Sequence, residues 1–348
     1  MAAREVGVTA TTVARAVAAS ETSVPRSWFR DADGATRRDV SPRELAEIVR
    51  SGRGQLWVDI DSRNRHQHAV LEKVFGFHHL AIEDTLNPDS RVKLEEYNGY
   101  LFIIMRGVCL EDATPDPYDL ETFNLCFFLG ANYLVTVHGE RATTVKSVSE
   151  LLERSPDVLG RGAQRLLHMI MDTAVDEYFP LLARIDDLVE AFEERVFVQF
   201  DRGTLHDILA VKRLILSLRR HLFPQREVFN LLTNRPSALL SPETQIYFRD
   251  VYDHVLRIND GLETQRDLIA GSMEAYLTQV SNRLGTVTKG LSVIATLSVP
   301  FVVVSGMWGM NFERLPLASS PLGFWLMLVL QLAIGGVLLA VMVWRKWL

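Results

Sequence analysis

The chain has 348 residues, 48% of them hydrophobic and 23% charged, with a formal net charge of −6. The charge is unevenly placed: residues 286–348 carry net +3, which leaves −9 for the rest. An acidic body with an apolar, basic-tipped end excludes a nucleic-acid partner, which needs a basic surface, and suits a protein that handles cations.

Residues 1–20, MAAREVGVTATTVARAVAAS, lack the continuous apolar core of about 7–15 residues that a secretory signal needs. They read as a disordered tail, which leaves the body in the cytosol. An α/β domain is predicted over 21–143. Ser41 with Glu44 three residues on, and Pro42 between them, is a capping box that starts a helix over SPRELAEIVRSG, 41–52. A second helix is predicted over HQHAVLEKVFGF, 66–77. The apolar or alternating runs QLWVDI (55–60), YLFIIMRGVCL (100–110), FNLCFFLG (123–130) and YLVTVH (133–138) read as strands. The ANY step at 131–133 is a hairpin turn. Cys109 and Cys126 fall in two of these strands and read as buried thiols. His66, His68, His78 and His79 lack the partners of a metal site.

A helical region is predicted over 144–242. Its acidic positions Asp172, Asp176, Glu177, Asp186, Asp187, Glu190, Glu193 and Glu194 crowd neighbouring faces. They read either as a solvated surface or as carboxylates that meet a hydrated divalent ion. Beyond Pro242, apolar residues recur at Val251, Val255, Ile258, Leu262, Ile269, Tyr276, Val280, Val287 and Leu291, mostly 3, 4 or 7 apart. This is helical periodicity, and no proline intervenes before Pro300. One helix is predicted from about 243 to 310, on the order of 100 Å long. Its 243–290 part serves as a stalk. The alternative is two helices broken near Gly261, Gly271 or Gly285, since glycine costs about 1 kcal/mol in a helix interior.

Residues 291–310 and 322–344 contain no charged side chain, and each is long enough for a bilayer core of about 30 Å. They are predicted to be two membrane spans joined by an outer loop, 311–321, and followed by a basic tail, 345–348. Arg283 and Lys289 precede the first span, and Arg345 and Lys346 follow the second. Lysine and arginine mark the cytoplasmic side, so both termini are expected in the cytoplasm. Two helices cannot enclose a pore, so a channel would need several copies. No Walker loop, GxGxxG or GxSxG occurs, and nothing supports an enzyme.

Gly309-Met310-Asn311 after an apolar helix, a short loop, a second apolar helix and a terminal Arg-Lys-Trp-Leu together resemble the CorA family of divalent-metal channels. HHLAIEDTLNPDSRVKLEEYNGYLFIIMR (78–106) resembles its cytosolic domain, and YFRDVYDHVLRIND (247–260) its stalk helix. The likeness covers about residues 50–348. It implies a layered α/β/α cytosolic domain, a long stalk and two transmembrane helices, assembled as a funnel-shaped homopentamer in the inner membrane. Its partners would be other copies of itself, the lipid bilayer and divalent cations. Mg2+ would be both substrate and regulatory ligand, with Co2+, Ni2+ or Zn2+ as alternatives.

By the same resemblance, Gly309, Met310 and Asn311 form the selectivity filter, and Glu313 lies at the outer mouth. Thr288, Leu291 and Val299 fall at an apolar gate, with packing against the second span as the competing reading. Glu83 and Asp84 match regulatory carboxylates, Asp250 matches their partner on the neighbouring subunit's stalk, and Asp172 is a further candidate. Three positions depart from the family: Gly285 replaces an asparagine, Val302 a threonine and Leu317 an acidic residue. Each removes a polar group from the permeation path. Three readings follow: a passive Mg2+ channel closed by internal Mg2+, a proton-coupled Zn2+ transporter of the related ZntB type, and a membrane-anchored metal sensor that does not conduct. No His or Cys lies in 285–321, which favours Mg2+ over Zn2+.

Overall fold

The computed structural model describes residues 24–110, 120–198, 202–310 and 320–345. The predicted tail 1–20 therefore lies outside the described residues, as do Asn311, Glu313, Leu317 and Lys346. The chain divides into two units. The first holds residues up to Arg195 and Arg202–Ala270; the second holds Gly271–Leu348 with the short Val196–Asp201 stretch.

The first unit is built on a mixed sheet. Its strands are β1 (Arg26–Arg30), β2 (Thr36–Arg38), β3 (Gln55–Asp61), β4 (Lys93–Tyr97), β5 (Tyr100–Leu110), β6 (Leu120–Gly130) and β7 (Tyr133–His138), in the order β2-β1-β3-β7-β6-β5-β4. β3 and β7 pair in parallel, with Val58 opposite Val135, and the other neighbours are antiparallel. The four predicted strands are present. β1, β2 and β4 were not legible. All of β2 is exposed and β4 reads KLEEY, so neither has an apolar face; charged outer strands of this kind discourage pairing with other chains.

Helices α1 (Pro42–Ser51), α2 (Arg65–Lys73) and α3 (His79–Leu86) cover one face of the sheet. Leu45, Ile48, Val70, Leu71 and Ala81 from these helices join Leu56, Val58, Ile60, Phe102, Ile104, Cys126, Phe128, Val135 and Val137 in one buried cluster. Burial raises the Cys126 thiol pKa to about 12, so it is inert packing. The capping box forms: Ser41 Oγ accepts from the Glu44 backbone, and the Ser41 N–H donates to Glu44 Oε2 at 3.2 Å. Gly52 closes α1 with φ of 63°, a left-handed cap that suits glycine. The turn from β6 to β7 is tight enough that a Cβ on Gly130 would lie 2.3 Å from the Tyr133 ring.

The alternate residues Trp57, Ile103, Phe127, Leu129 and Leu134 are buried on the other face. The helices after β7 are α4 (Thr143–Arg154), α5 (Ala163–Asp176), α6 (Tyr178–Val198), α7 (Arg202–Leu222) and α8 (Gln225–Asn234). Of these, α5 runs along β3, β6 and β7. The layering is thus α/β/α. Tyr178 and Gln225 tie α6 and α8 to the sheet, both donating to the Arg106 carbonyl, at 2.7 and 3.2 Å.

A buried polar chain crosses the parallel pair. Asp59, its side chain 3% exposed, accepts from Arg26 (2.6 Å), Thr136 (2.8 Å) and His138 Nε2 (2.8 Å). His138 Nδ1 lies 2.7 Å from the Gly139 carbonyl. Both neighbours of the ring only accept, an arrangement that favours the doubly protonated, charged imidazole. Burial works to lower the His138 pKa, but the bond to Asp59 and its charge outweigh it, and the pKa is raised. Burial works to raise the Asp59 pKa, and its partners pull it below the usual carboxylate range. The His138 contribution is complete below its unfolded pKa of about 6.5 and fades as pH rises through the folded value. The Asp59 contribution is complete above about 3.9 and fades as pH falls. His138→Leu, which strands a buried carboxylate, is expected to cost about 3 kcal/mol. Denaturant unfolding of both proteins across pH should show the largest gap between about pH 4 and 6.5.

The last long element, α9 (Pro242–Trp308), is one helix of 67 residues. This is the single helix predicted, and the alternative of a break at Gly261, Gly271 or Gly285 does not occur. Gly261 has a packing reason, since a Cβ there would lie 2.7 Å from Leu182. Val251, Val255, Ile258, Leu262, Ile269 and Tyr276 are buried, as the periodicity requires.

In the second unit, residues 281–292 of α9 are exposed on every side. α9 ends at Trp308 and α10 (Gly323–Trp344) follows; both contain a stretch long and apolar enough to cross a membrane. Phe301 of α9 meets Gly335 of α10, where a Cβ would lie 2.9 Å from the ring.

Candidate functional site

The predicted site residues lie at three places. Gly309 and Met310 follow the last turn of α9, where the Gly309 N–H donates to the Ser305 carbonyl at 3.0 Å and Met310 N–H to the Met307 carbonyl at 3.4 Å. A Cβ added to Gly309 would rest 3.4 Å from the Ser305 oxygen, an ordinary contact. Among the described residues, nothing in the chain itself demands glycine there.

Thr288, Leu291 and Val299 lie on α9 and are exposed, Leu291 by 63% and Val299 by 56%. At about 100° per residue they fall within roughly 80° of arc, one face of the helix. None of the three is buried in the chain. Val302 continues the same exposed stripe, at 69%.

The carboxylates predicted to be regulatory divide into two groups within the chain. Glu83 and Asp84 sit on α3. Asp84 accepts from Lys93 Nζ at 2.7 Å and from Ser90 Oγ at 3.4 Å, and Lys93 also donates to Glu95 at 2.8 Å. Burial works against the Lys93 charge, but these two carboxylates raise its pKa. Asp172 on α5 and Asp250 on α9 influence one another electrostatically. No ion pair or hydrogen bond among the described residues joins the two groups.

Asp172 has two further neighbours, of which the sequence reading left His254 unassigned. Asp176, one turn along α5, and His254, one turn beyond Asp250 on α9, present ligand atoms that lie within 4.8 Å of each other and of Asp172. His254 Nδ1 is buried and makes no hydrogen bond; its nearest carboxylate oxygen, on Asp176, is 3.6 Å away. Burial, with the charges of Asp176 and Asp250, raises the Asp172 pKa against the pull of His168 and His254. A half-buried carboxylate whose charge is disfavoured by such surroundings is relieved by a cation. The donor set fits a divalent ion: Mg2+ through carboxylate oxygens and retained water, Co2+ or Zn2+ through the imidazole as well. The i, i+4 spacing of Asp172 and Asp176 was legible. The approach of His254 from α9 was not.

The chain matches the model of the family described as CorA-like Mg2+ transporter protein over residues 53–346. It belongs to this CorA-like family. The cobalt/magnesium transport protein CorA of Thermotoga maritima is 32% identical over 296 residues, covering 84% of this chain and 83% of its own. That of Methanocaldococcus jannaschii is 24% identical over 309 residues, covering 88% and 95%. The complete structure of the CorA magnesium transporter from M. jannaschii superposes with a TM-score of 0.79 at 22% identity, over 93% of this chain and 99% of the other. At that identity the structural likeness speaks for the fold. With two candidate spans in a CorA-like chain, the protein is a membrane protein, and its family is one of transporters rather than enzymes.

Proposed function

We propose that the protein is a passive Mg2+ channel, a homopentamer whose first span lines the pore and whose conduction is shut off by internal Mg2+. The observation that carries this reading is where α9 stops. Its last helical residue is Trp308, directly before Gly309-Met310-Asn311. The carboxyl end of a helix carries about half a negative charge. In a ring of copies, the negative helix ends would converge on the tripeptide and draw cations to it. Mg2+ holds its water shell tightly, and Asn311 amides can hydrogen-bond that shell without stripping it. Neutral amides avoid the deep trap that a carboxylate ring would form, and conduction needs release as well as entry.

The exposed stripe of Thr288, Leu291, Val299 and Val302 supports the gate, since an apolar constriction blocks ions by dewetting. Residues Arg283, Lys289 and Arg345 support a cytoplasmic position for both helix ends that face away from the tripeptide.

The test is flux into liposomes holding the purified protein, followed in parallel with Mg2+, Zn2+ and pH dyes. Mg2+ entry without proton movement supports the channel. Zn2+ entry with a pH change and no Mg2+ signal moves the chain to the ZntB type, and no flux of any ion leaves the sensor reading.

The Asp172, Asp176 and His254 group supports internal regulation. A metal ion there stabilises the folded state by about 2.7 kcal/mol at a hundredfold excess over its Kd. Asp172→Asn is expected to remove most of that gain, read as the Mg2+- or Co2+-induced rise in Tm. The raised Asp172 pKa sets the sign with pH: without metal, stability declines as pH rises through that pKa, and the metal-induced rise in Tm grows over the same range because metal and proton compete for the carboxylate.

A further inference from the structure

Apart from its two tryptophans, α10 has one polar side chain, Gln331. It is 5% exposed, whereas its neighbours Leu330 and Leu332 are 54% and 59% exposed. Gln331 Nε2 donates to Ser305 Oγ at 2.9 Å and to the Phe301 carbonyl at 3.4 Å. Both acceptors lie on α9, between Pro300 and the tripeptide. Gln331 stands eight residues, about 12 Å, into α10, away from the headgroups. There an amide without partners would be left in hydrocarbon, so the pairing across helices is its means of satisfaction.

Two adjacent features make this contact a fixed point of the second unit. Gly335, one turn beyond Gln331, admits the Phe301 ring, which a Cβ would meet at 2.9 Å. The helices are therefore held at 331 and 335 against one turn of α9. Pro300 supplies no N–H to the helix ladder, so the segment from 301 onward is less firmly tied to the turn below it. Ser305 in turn accepts the Gly309 N–H through its carbonyl at 3.0 Å. A chain of contacts thus runs from α10 through Gln331 and Ser305 to the first residue of the tripeptide.

We infer that Gln331 is a positioning residue for ion permeation: through Ser305 it fixes the last turn of α9, and with it Gly309, where the tripeptide begins. This rests on the reading of that tripeptide as the ion entrance. A filter that reads a hydrated ion through water-mediated hydrogen bonds depends on ring diameter, so loosening the latch alters ion preference and not merely stability. The same sequence features that remove polar groups from the pore, such as Val302, leave this polar pair turned towards the second helix.

The experiment measures Mg2+ and Co2+ entry into liposomes for wild type, Gln331→Leu, Ser305→Ala, the double variant and Ser305→Thr. Size-exclusion chromatography first establishes that each assembles. The Mg2+ to Co2+ ratio is expected to shift about threefold in Gln331→Leu and in the same direction in Ser305→Ala, the scale of one hydrogen bond between membrane helices. The double variant should go no further than the larger single change, and Ser305→Thr, which keeps the hydroxyl, should keep the wild-type ratio. An unchanged ratio in both single variants, or shifts that multiply in the double, overturns the latch. If Gln331→Leu does not assemble, Ser305→Ala against Ser305→Thr decides alone. Absence of flux in wild type overturns the entrance reading and the latch with it, an outcome distinct from failure of the variants.

Discussion

Replacing Asn311 by alanine is expected to lower Mg2+ entry into liposomes by about a hundredfold while leaving the assembled protein intact. Asn311 comes three residues after Trp308, the last residue of α9, in the sequence, and in a symmetric ring the copies of it are equivalent by symmetry. Each amide hydrogen bond to a water of the hydrated ion has a net value of roughly 0.5–1.5 kcal/mol. Summed over a pentamer, even the low end is about 2.5 kcal/mol, which is about 70-fold in rate, and the middle of the range exceeds a hundredfold. The loss should appear for Mg2+ and Co2+ alike, because both enter with their water. Asn311→Gln keeps the amide but moves it out by one methylene, and should retain part of the flux with an altered ion order. If Asn311→Ala conducts Mg2+ within about twofold of wild type, a difference worth only some 0.4 kcal/mol, the ring of amides is not the filter. The helix carbonyl ends or Glu313 would then have to be the selecting groups.

What the sequence made legible follows from how local each signal is. The capping box at Ser41 and Glu44, the alternation in β3, β5, β6 and β7 and the long period of α9 are all encoded within a few turns of chain, and each is present. β2 and β4 were not, because strands with charged or exposed side chains are defined by their pairing partners rather than by their own pattern. The same division runs through the site. Asp172 and Asp176 share a helix face that i, i+4 spacing predicts. His254 reaches them only because α9 passes α5, a tertiary fact with no sequence signature. Gln331 is a lone amide in an apolar run, but its acceptor 26 residues away depends on how the two spans pack. The buried Asp59–His138 pair belongs here too: one residue is on β3 and the other on β7, and only the parallel register brings them to 2.8 Å.

The second large effect concerns closure. Asp250→Lys is expected to make the closed channel persist without internal Mg2+, with flux at low Mg2+ reduced at least about tenfold. In the chain, Asp250 is exposed on α9 close enough to Asp172 for each charge to act on the other, and Glu83 and Asp84 occupy a separate helix. The regulatory proposal brings Glu83 and Asp84 of one copy against Asp250 of the next. Without metal those carboxylates repel, and the subunits separate; a bound divalent ion reverses the sign. A lysine in place of Asp250 reverses it permanently. At 4 Å and an effective dielectric of 20, changing one charge pair from repulsion to attraction spans up to about 8 kcal/mol, and salt and side-chain motion reduce this at an exposed site. Only about 1.4 kcal/mol of it need survive for a tenfold shift of the open–closed balance. The measurement is Mg2+ flux at several internal Mg2+ concentrations. Wild type should fall steeply with internal Mg2+, and Asp250→Lys should be low throughout and nearly flat. Asp250→Asn separates charge from contact: it removes repulsion without adding attraction, so its flux at low Mg2+ should lie between the two. Inhibition curves that superpose for wild type and Asp250→Lys would place closure elsewhere, with the Asp172, Asp176 and His254 group as the remaining metal-sensitive element.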